Sequence, residues 1–177
     1  MDIVQQLEAR LAASLKVDSD FFTASHSGEN VSLRLLHYPA TNSADLQPDQ
    51  LGAGEHTDYG LLTLLFQHEV GGLEVLDQND AWLPIAFEPN LIIVNSGDLL
   101  ERWTNGHYRS TRHRVQPQTD GTDRLSVALF VDPDSDVRVT PLASCVDASR
   151  PARFPPTTAG EHIQAKINAS HRDRFDS

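Results

Sequence analysis

A chain of 177 residues with 25 Asp and Glu against 14 Lys and Arg carries a net charge of −11, leaving no basic stripe to replace the counterions around a phosphate backbone, so a nucleic-acid partner is excluded. That length suits one good-sized core, and a single domain over 1–177 is expected. The lone Cys145 rules out an internal disulfide, and with no leader-like or membrane-length apolar run in view the expectation is a cytoplasmic protein with no membrane partner.

The first element expected is a helix, because Val4, Leu7, Leu11 and Leu15 recur at helical spacing and Asp2 is available as its cap. Asp18 or Ser19 then caps a short turn carrying Phe21 and Phe22. From Val31 to Tyr38 the apolar Val31, Leu33 and Leu35 alternate with polar neighbours until Pro39 closes the run, which reads as a strand. The stretch from Ala40 to Ala53 is rich in Asn, Ser, Asp, Pro and Gly and reads as an irregular connection placed over a site.

Short strands follow at about 54–58, 61–67, 73–77, 81–85, 91–95, 111–116, 124–131 and 137–140. Turn residues punctuate them, among them Gly71-Gly72, Asn79-Asp80, Pro89-Asn90 and Asp120-Gly121. One helical turn is expected over Asp98 to Thr104, and after Pro155-Pro156 a terminal helix runs from Ala159 to Arg172 with Thr158 as its cap. So many short strands give a mainly β protein, a jelly-roll core over about 31–142 with flanking helices and a helical tail over 155–173.

The chemistry concentrates in His56, Asp58 and His113. Side chains two apart on a strand share a face, so His56 and Asp58 reach one ion while Thr57 points away, and a second strand supplies His113. Two imidazoles and a carboxylate on one face of an octahedron leave three positions open, the ligand set of non-haem Fe(II) oxygenases. Downstream, Arg124 and Ser126 share a strand face, where a planar guanidinium fork and a hydroxyl suit a ligand carboxylate. The same three metal donors also suit zinc with a water, as in a hydrolase, but that leaves Arg124 and Ser126 unexplained. His26, His37, His68, His107, His162 and His171 are read as surface or structural, Trp82 and Trp103 as core or rim, and Asn30-Val31-Ser32 and Asn168-Ala169-Ser170 as chance matches to the glycosylation pattern.

The segments Gly54-Glu55-His56-Thr57-Asp58-Tyr59-Gly60-Leu61-Leu62-Thr63, Asn95-Ser96-Gly97-Asp98-Leu99-Leu100-Glu101-Arg102-Trp103, Ser110-Thr111-Arg112-His113-Arg114-Val115 and Arg124-Leu125-Ser126 occur in this order. With them the stretch from Val31 to Leu142 resembles the isopenicillin N synthase-like 2-oxoglutarate-dependent Fe(II) dioxygenases. The resemblance implies a double-stranded β-helix, Fe(II) held by His56, Asp58 and His113, and the cosubstrate 2-oxoglutarate held by Arg124 and Ser126, with Tyr38 as a further contact. It implies consumption of O2, oxidative decarboxylation of 2-oxoglutarate, and hydroxylation, desaturation or cyclisation of a small molecule. In that family the turn from Asn95 to Asp98 precedes a short helix beneath the site, with Asp98 available to cap it. Leu36 stands where the family often has asparagine, Asn90 where it has glycine, and the long N-terminal segment usual in the family does not precede Met1. Relatives similar to aminocyclopropane carboxylate oxidase share the triad and the Arg-x-Ser pair without using 2-oxoglutarate, and a non-catalytic binding domain of the same fold is a further alternative.

Overall fold

A computed structural model describes residues 2–175, with side chains described up to residue 170. In chain order it contains α1 (Asp2–Leu15), β1 (Val31–Tyr38), β2 (Ala53–His56), β3 (Leu62–Gln67), β4 (Leu73–Leu76), β5 (Trp82–Pro84), β6 (Ile93–Ser96), α2 (Asp98–Trp103), β7 (His113–Val115), β8 (Arg124–Val131), β9 (Arg138–Val139), β10 (Thr157–Thr158) and α3 (Ala159–Phe175). One antiparallel sheet has the order β1-β8-β3-β6 and a second the order β2-β7-β4-β5, while β9 pairs with β10. The inner faces of the two sheets meet where Leu65 and Ala128 of the first pack against Leu73 and Val115 of the second. This is the mainly β jelly roll expected, with helices outside it.

The expected elements are present, with instructive shifts. Asp2 is the first helical residue of α1 instead of standing before it. The stripe that α1 buries is Val4, Glu8, Ala12 and Leu15, rotated from the sequence pattern, while Leu7 and Leu11 line a half-open cleft with Leu62, Leu100 and Tyr108. A fully buried carboxylate needs partners, and Glu8 accepts a hydrogen bond from Thr23 Oγ1 at 3.0 Å and lies 2.8 Å from His26 Nε2. The Asp18 carbonyl, not its side chain, takes the Phe21 N–H at 3.0 Å. Phe21, Phe22 and Trp103 then pack edge to face with centroids 5.0–5.7 Å apart, which places Trp103 in the core. Trp82 lies at the rim, with the Arg114 guanidinium 4.1 Å from its ring.

At the C-terminal end Thr158 Oγ1 accepts the Glu161 N–H at 3.2 Å while Glu161 Oε2 accepts the Thr158 N–H at 2.9 Å. This reciprocal capping box bears out Thr158 as the cap of α3. The strand β10, which Thr158 also completes, is too short for any sequence period to reveal. Asn90 adopts φ +65°, the left-handed conformation that asparagine tolerates. His37 is an exposed partner of Asp123 at 2.7 Å, His162 packs 3.6 Å from Asp98, and the His171 side chain lies outside the described residues. Among the described residues no helix is long and apolar enough to cross a membrane.

The largest departure concerns β1. Leu33 and Leu35 are 58% and 78% exposed, whereas Leu36 and Tyr38 line the space between the sheets. Across the sheet the outward row continues from Leu35 through Val127 to Phe66, itself 40% exposed. The apolar alternation therefore marks the outer face of this sheet, and Leu36 and Tyr38 of the other face of β1 turn inward.

Candidate metal and cosubstrate site

The antiparallel register of β2 and β7 sets His56 directly opposite His113, with ring centroids 4.3 Å apart. Asp58 follows two residues beyond His56, past the end of β2, and its Oδ1 lies 3.7 Å from His113 Nε2. One donor atom from each of His56, Asp58 and His113 lies within 4.8 Å of the others, so the three can converge on one ion. His56 Nδ1 sits 2.7 Å from the Gly54 carbonyl and His113 Nδ1 3.1 Å from the Thr111 carbonyl. A carbonyl only accepts, so both Nδ1 atoms carry a proton, the tautomer whose neutral ring presents its lone pair at Nε2. Burial, aided by the neighbouring His56 and opposed by Asp58 and the Thr111 carbonyl, pushes His113 below the ordinary imidazole range, which favours the neutral form that a metal needs.

The loop carrying Asp58 is fixed by its backbone. Asp98 N–H donates to the Asp58 carbonyl at 2.8 Å, Leu99 N–H to Gly60 at 3.0 Å and Gly97 N–H to Leu61 at 3.0 Å, so the start of α2 docks on residues 58–61. Gly97, not Asp98, is the residue preceding the helix; the Asp98 carboxylate instead bonds Lys166 Nζ of α3 at 2.7 Å. Burial alone would raise that carboxyl, but His162, Lys166 and the Ser110 hydroxyl outweigh it and hold it far below the usual range.

A Cβ at Gly97 would run into the Gly60 backbone, and one at Gly60 into the Asp132 carboxylate. Gly97→Ala is therefore expected to cost about 1–3 kcal/mol by overpacking. For a chain of this size that is a fall of roughly 2–12 °C in the unfolding temperature, measurable by calorimetry, together with weaker metal binding as Asp58 moves.

Arg124, on β8, is 1% exposed. Its Nε donates to the Gly71 carbonyl at 2.6 Å and one terminal nitrogen to Ser126 Oγ at 3.3 Å, and its Cζ lies 4.8 Å from the Tyr38 ring centroid. Tyr38 pairs with Arg124 and Leu36 with Ser126 across β1 and β8. Among the described residues no carboxylate forms an ion pair with Arg124. A buried guanidinium without a counter-charge is costly, and it fits an anionic group supplied from outside the chain. Arg124, Ser126 and Tyr38 line the same cavity as His56, Asp58 and His113, an empty volume of about 440 Å³ including its open mouth. All six sequence-derived site residues thus converge.

Three contributors escaped the sequence reading. Asn95 Nδ2 donates to Asp58 Oδ2 at 3.4 Å and lines the cavity, its signal being a lone amide in an otherwise apolar run. Gln67 Oε1 lies 3.5 Å from an Arg124 nitrogen, and Ser110 Oγ donates to the Asp58 carbonyl at 3.4 Å. Gln67 carries no sequence signal, and Ser110, though it opens a family-like segment, reveals its role only through a partner far away in the chain.

The family profile described as the 2OG-Fe(II) oxygenase superfamily matches residues 29–133, more than half of the chain. The chain belongs to this superfamily. Curated relatives of the 2OG-Fe(II) oxygenase set include the proline hydroxylase buaE of Petromyces alliaceus, 39% identical over 171 residues that make up 92% of this chain and 54% of the relative. Another is the 2-oxoglutarate-Fe(II) type oxidoreductase hxnY of Emericella nidulans, 33% identical over 171 residues, 96% of this chain and 49% of the relative. Among solved structures, a full-length Neurospora crassa protein in complex with alpha-KG and 5-formyluracil superposes with a TM-score of 0.87 at 32% identity, covering 95% of this chain and 56% of that one. The dioxygenase for auxin oxidation in rice gives 0.82 at 28% identity, covering 96% and 55%. This superfamily member spans about half the length of the curated relatives it matches.

Proposed function

We propose that this chain carries the catalytic core of an Fe(II)- and 2-oxoglutarate-dependent dioxygenase, with Fe(II) on His56, Asp58 and His113 and 2-oxoglutarate on Arg124, Ser126 and Tyr38. The observation that carries this reading is the buried, uncompensated Arg124 guanidinium sharing one cavity with the three metal donors. Superfamily membership supports it, as do relatives whose names or complexes include 2-oxoglutarate, alpha-KG and Fe. When bound, the iron and cosubstrate supply O2 activation coupled to oxidative decarboxylation of 2-oxoglutarate.

The residues of the chain bind, orient and exclude water. Arg124 offers two parallel N–H groups to a carboxylate, Ser126 adds a hydroxyl, and the Tyr38 ring lies against the guanidinium and limits its rotation. Leu65, Leu73, Val115 and Ala128 form an apolar wall that keeps water from the reacting centre. The protonated Nδ1 atoms, held by Gly54 and Thr111, keep both imidazoles in the tautomer that ligates through Nε2.

The oxidised partner is a small molecule, hydroxylated, desaturated or cyclised; relatives named for proline hydroxylation and auxin oxidation, and one solved with thymine, support that size class. The location we propose is the cytoplasm, supported by a sequence whose single cysteine, Cys145, is buried and has no partner within the chain for a disulfide.

Anaerobic titration of the chain with Fe(II) and then 2-oxoglutarate tests the reading without a substrate. The expected result is a visible metal-to-ligand charge-transfer band that requires both additions. Iron binding without the band would replace this reading by that of an oxidase which does not use 2-oxoglutarate.

A further inference from the structure

Lys166 is the point where the C-terminal helix meets the segment that carries Asp58. Along α3 the buried Ala159 and the half-buried His162, Ile163 and Lys166 recur at helical spacing, so one face of this helix turns to the protein. The apolar pair on that face, Ala159 and Ile163, packs into the core cluster, which fixes where the polar pair His162 and Lys166 lands. The Lys166 ammonium meets a carboxylate, a hydroxyl and a ring. It bonds Asp98 at 2.7 Å, lies 3.5 Å from Thr57 Oγ1 and stands 5.4 Å from the centroid of Tyr59. His162 Nε2 is further from Asp98, at 3.6 Å.

These contacts surround one metal donor. Thr57 and Tyr59 are its neighbours in the chain on either side, and Asp98 is the residue whose N–H holds the Asp58 carbonyl. The register of β2 and β7 ends at His56, so the sheet does not hold Asp58, and its backbone depends on the start of α2. Among the described ion pairs, those of His162 and Lys166 with Asp98 are the ones that α3 makes. The Asp98 side chain is 12% exposed and that of Lys166 38%, so the pair is sheltered while the lysine sits at the outer end of the network.

We propose that Lys166 is a positioning residue for Asp58, latching the segment 57–61 and the start of α2 to the C-terminal helix; this rests on the metal-site reading above. The latch acts through Asp98, Thr57 and Tyr59, and its effect is to hold the Asp58 carboxylate where the two imidazoles converge. Plain electrostatics gives a different signature. Lys166→Met removes a positive charge near the metal donors and by charge alone would tighten Fe(II), whereas Asp98→Asn removes a negative charge and would weaken it. Loss of positioning weakens Fe(II) in both variants.

Anaerobic Fe(II) titration of the 177-residue chain and its variants tests this. Lys166→Met and Asp98→Asn are each expected to weaken Fe(II) by about tenfold, the lower end of what losing an outer partner of a ligand costs, and Lys166→Arg, which keeps the charge facing Asp98, by less. Amide hydrogen exchange in the metal-free chain reads the latch directly. Lys166→Met should speed exchange at Gly97, Asp98 and Leu99, whose N–H groups dock on residues 58–61, by about tenfold, and leave Val127 and Leu129 of β8 unchanged. Fe(II) affinity unchanged or tightened in Lys166→Met, or exchange sped throughout the chain as by a residue that only supports the fold, would overturn the positioning role. No Fe(II) binding by the unaltered chain would overturn the metal-site reading, while the exchange measurement, which uses no metal, still decides the latch. Lys166→Gln carries the test if circular dichroism shows Lys166→Met to be misfolded.

Discussion

His56→Ala is expected to abolish the charge-transfer band given by Fe(II) and 2-oxoglutarate and to weaken Fe(II) binding by more than about 100-fold, the upper end of what is lost when only the partner of a ligand is removed. His56 is the exposed member of the triad, while Asp58 and His113 are 7% and 8% exposed. Its removal opens no cavity, so the unfolding free energy of the metal-free chain should change by no more than about 0.5 kcal/mol. The variant therefore separates the metal site from the fold, which a buried His113→Ala would not do. Titration of iron followed by calorimetry of the apoprotein checks both halves; a retained band would overturn the assigned ligand set.

Arg124→Leu should act on the other end of the cavity. Removing one member of a desolvated charge pair costs on the order of 2–5 kcal/mol, so affinity for 2-oxoglutarate is expected to fall about 30-fold to several-thousand-fold while iron binding persists. In the ligand-free chain the guanidinium is 1% exposed and has no carboxylate beside it, so folding bears a desolvation that only neutral partners, Gly71, Ser126, Gln67 and the Tyr38 ring, offset. Leucine in its place should leave the unfolding temperature of the apoprotein unchanged or raise it. What disappears is the rise in unfolding temperature produced by 2-oxoglutarate in the unaltered chain, a pure linkage effect. Thermal scans with and without 2-oxoglutarate measure both; a large loss of apoprotein stability would show that Arg124 is structural.

Two of the metal donors were legible because their constraint is local, and the third, His113, because it sits in a family-like segment. His56 and Asp58 lie two residues apart, and the flanking Gly54 and Thr111 carbonyls that fix the two tautomers each sit two residues before the histidine they hold. The Arg124 and Ser126 pair is local in the same way, since alternation along β8 puts both on one face. Asn95, Gln67 and Ser110 were not legible, because each touches a site residue from an element far away in the chain. Asp98 was placed at the right helix but given the wrong role, since its partner, Lys166, lies on α3.

By itself, then, the sequence determined the order of the main strands and helices, the cap of α3, the His56 and Asp58 pair and the Arg-x-Ser pair, all set by periods and spacings within a few residues, while His113 was added by the family-like segment around it. Tertiary structure decided which side of each element faces the interior. Alternation in β1 distinguishes two faces, but nothing along the strand says which one closes on the opposite sheet. In a barrel whose interior is a binding cavity the inward positions of β1 are Leu36 and Tyr38, and the apolar Leu33 and Leu35 are left outside. The same holds for α1, where a buried Glu8 displaces the expected apolar stripe because His26 and Thr23 fold over to meet it. Burial depends on what packs from elsewhere, and that partner is absent from any local pattern.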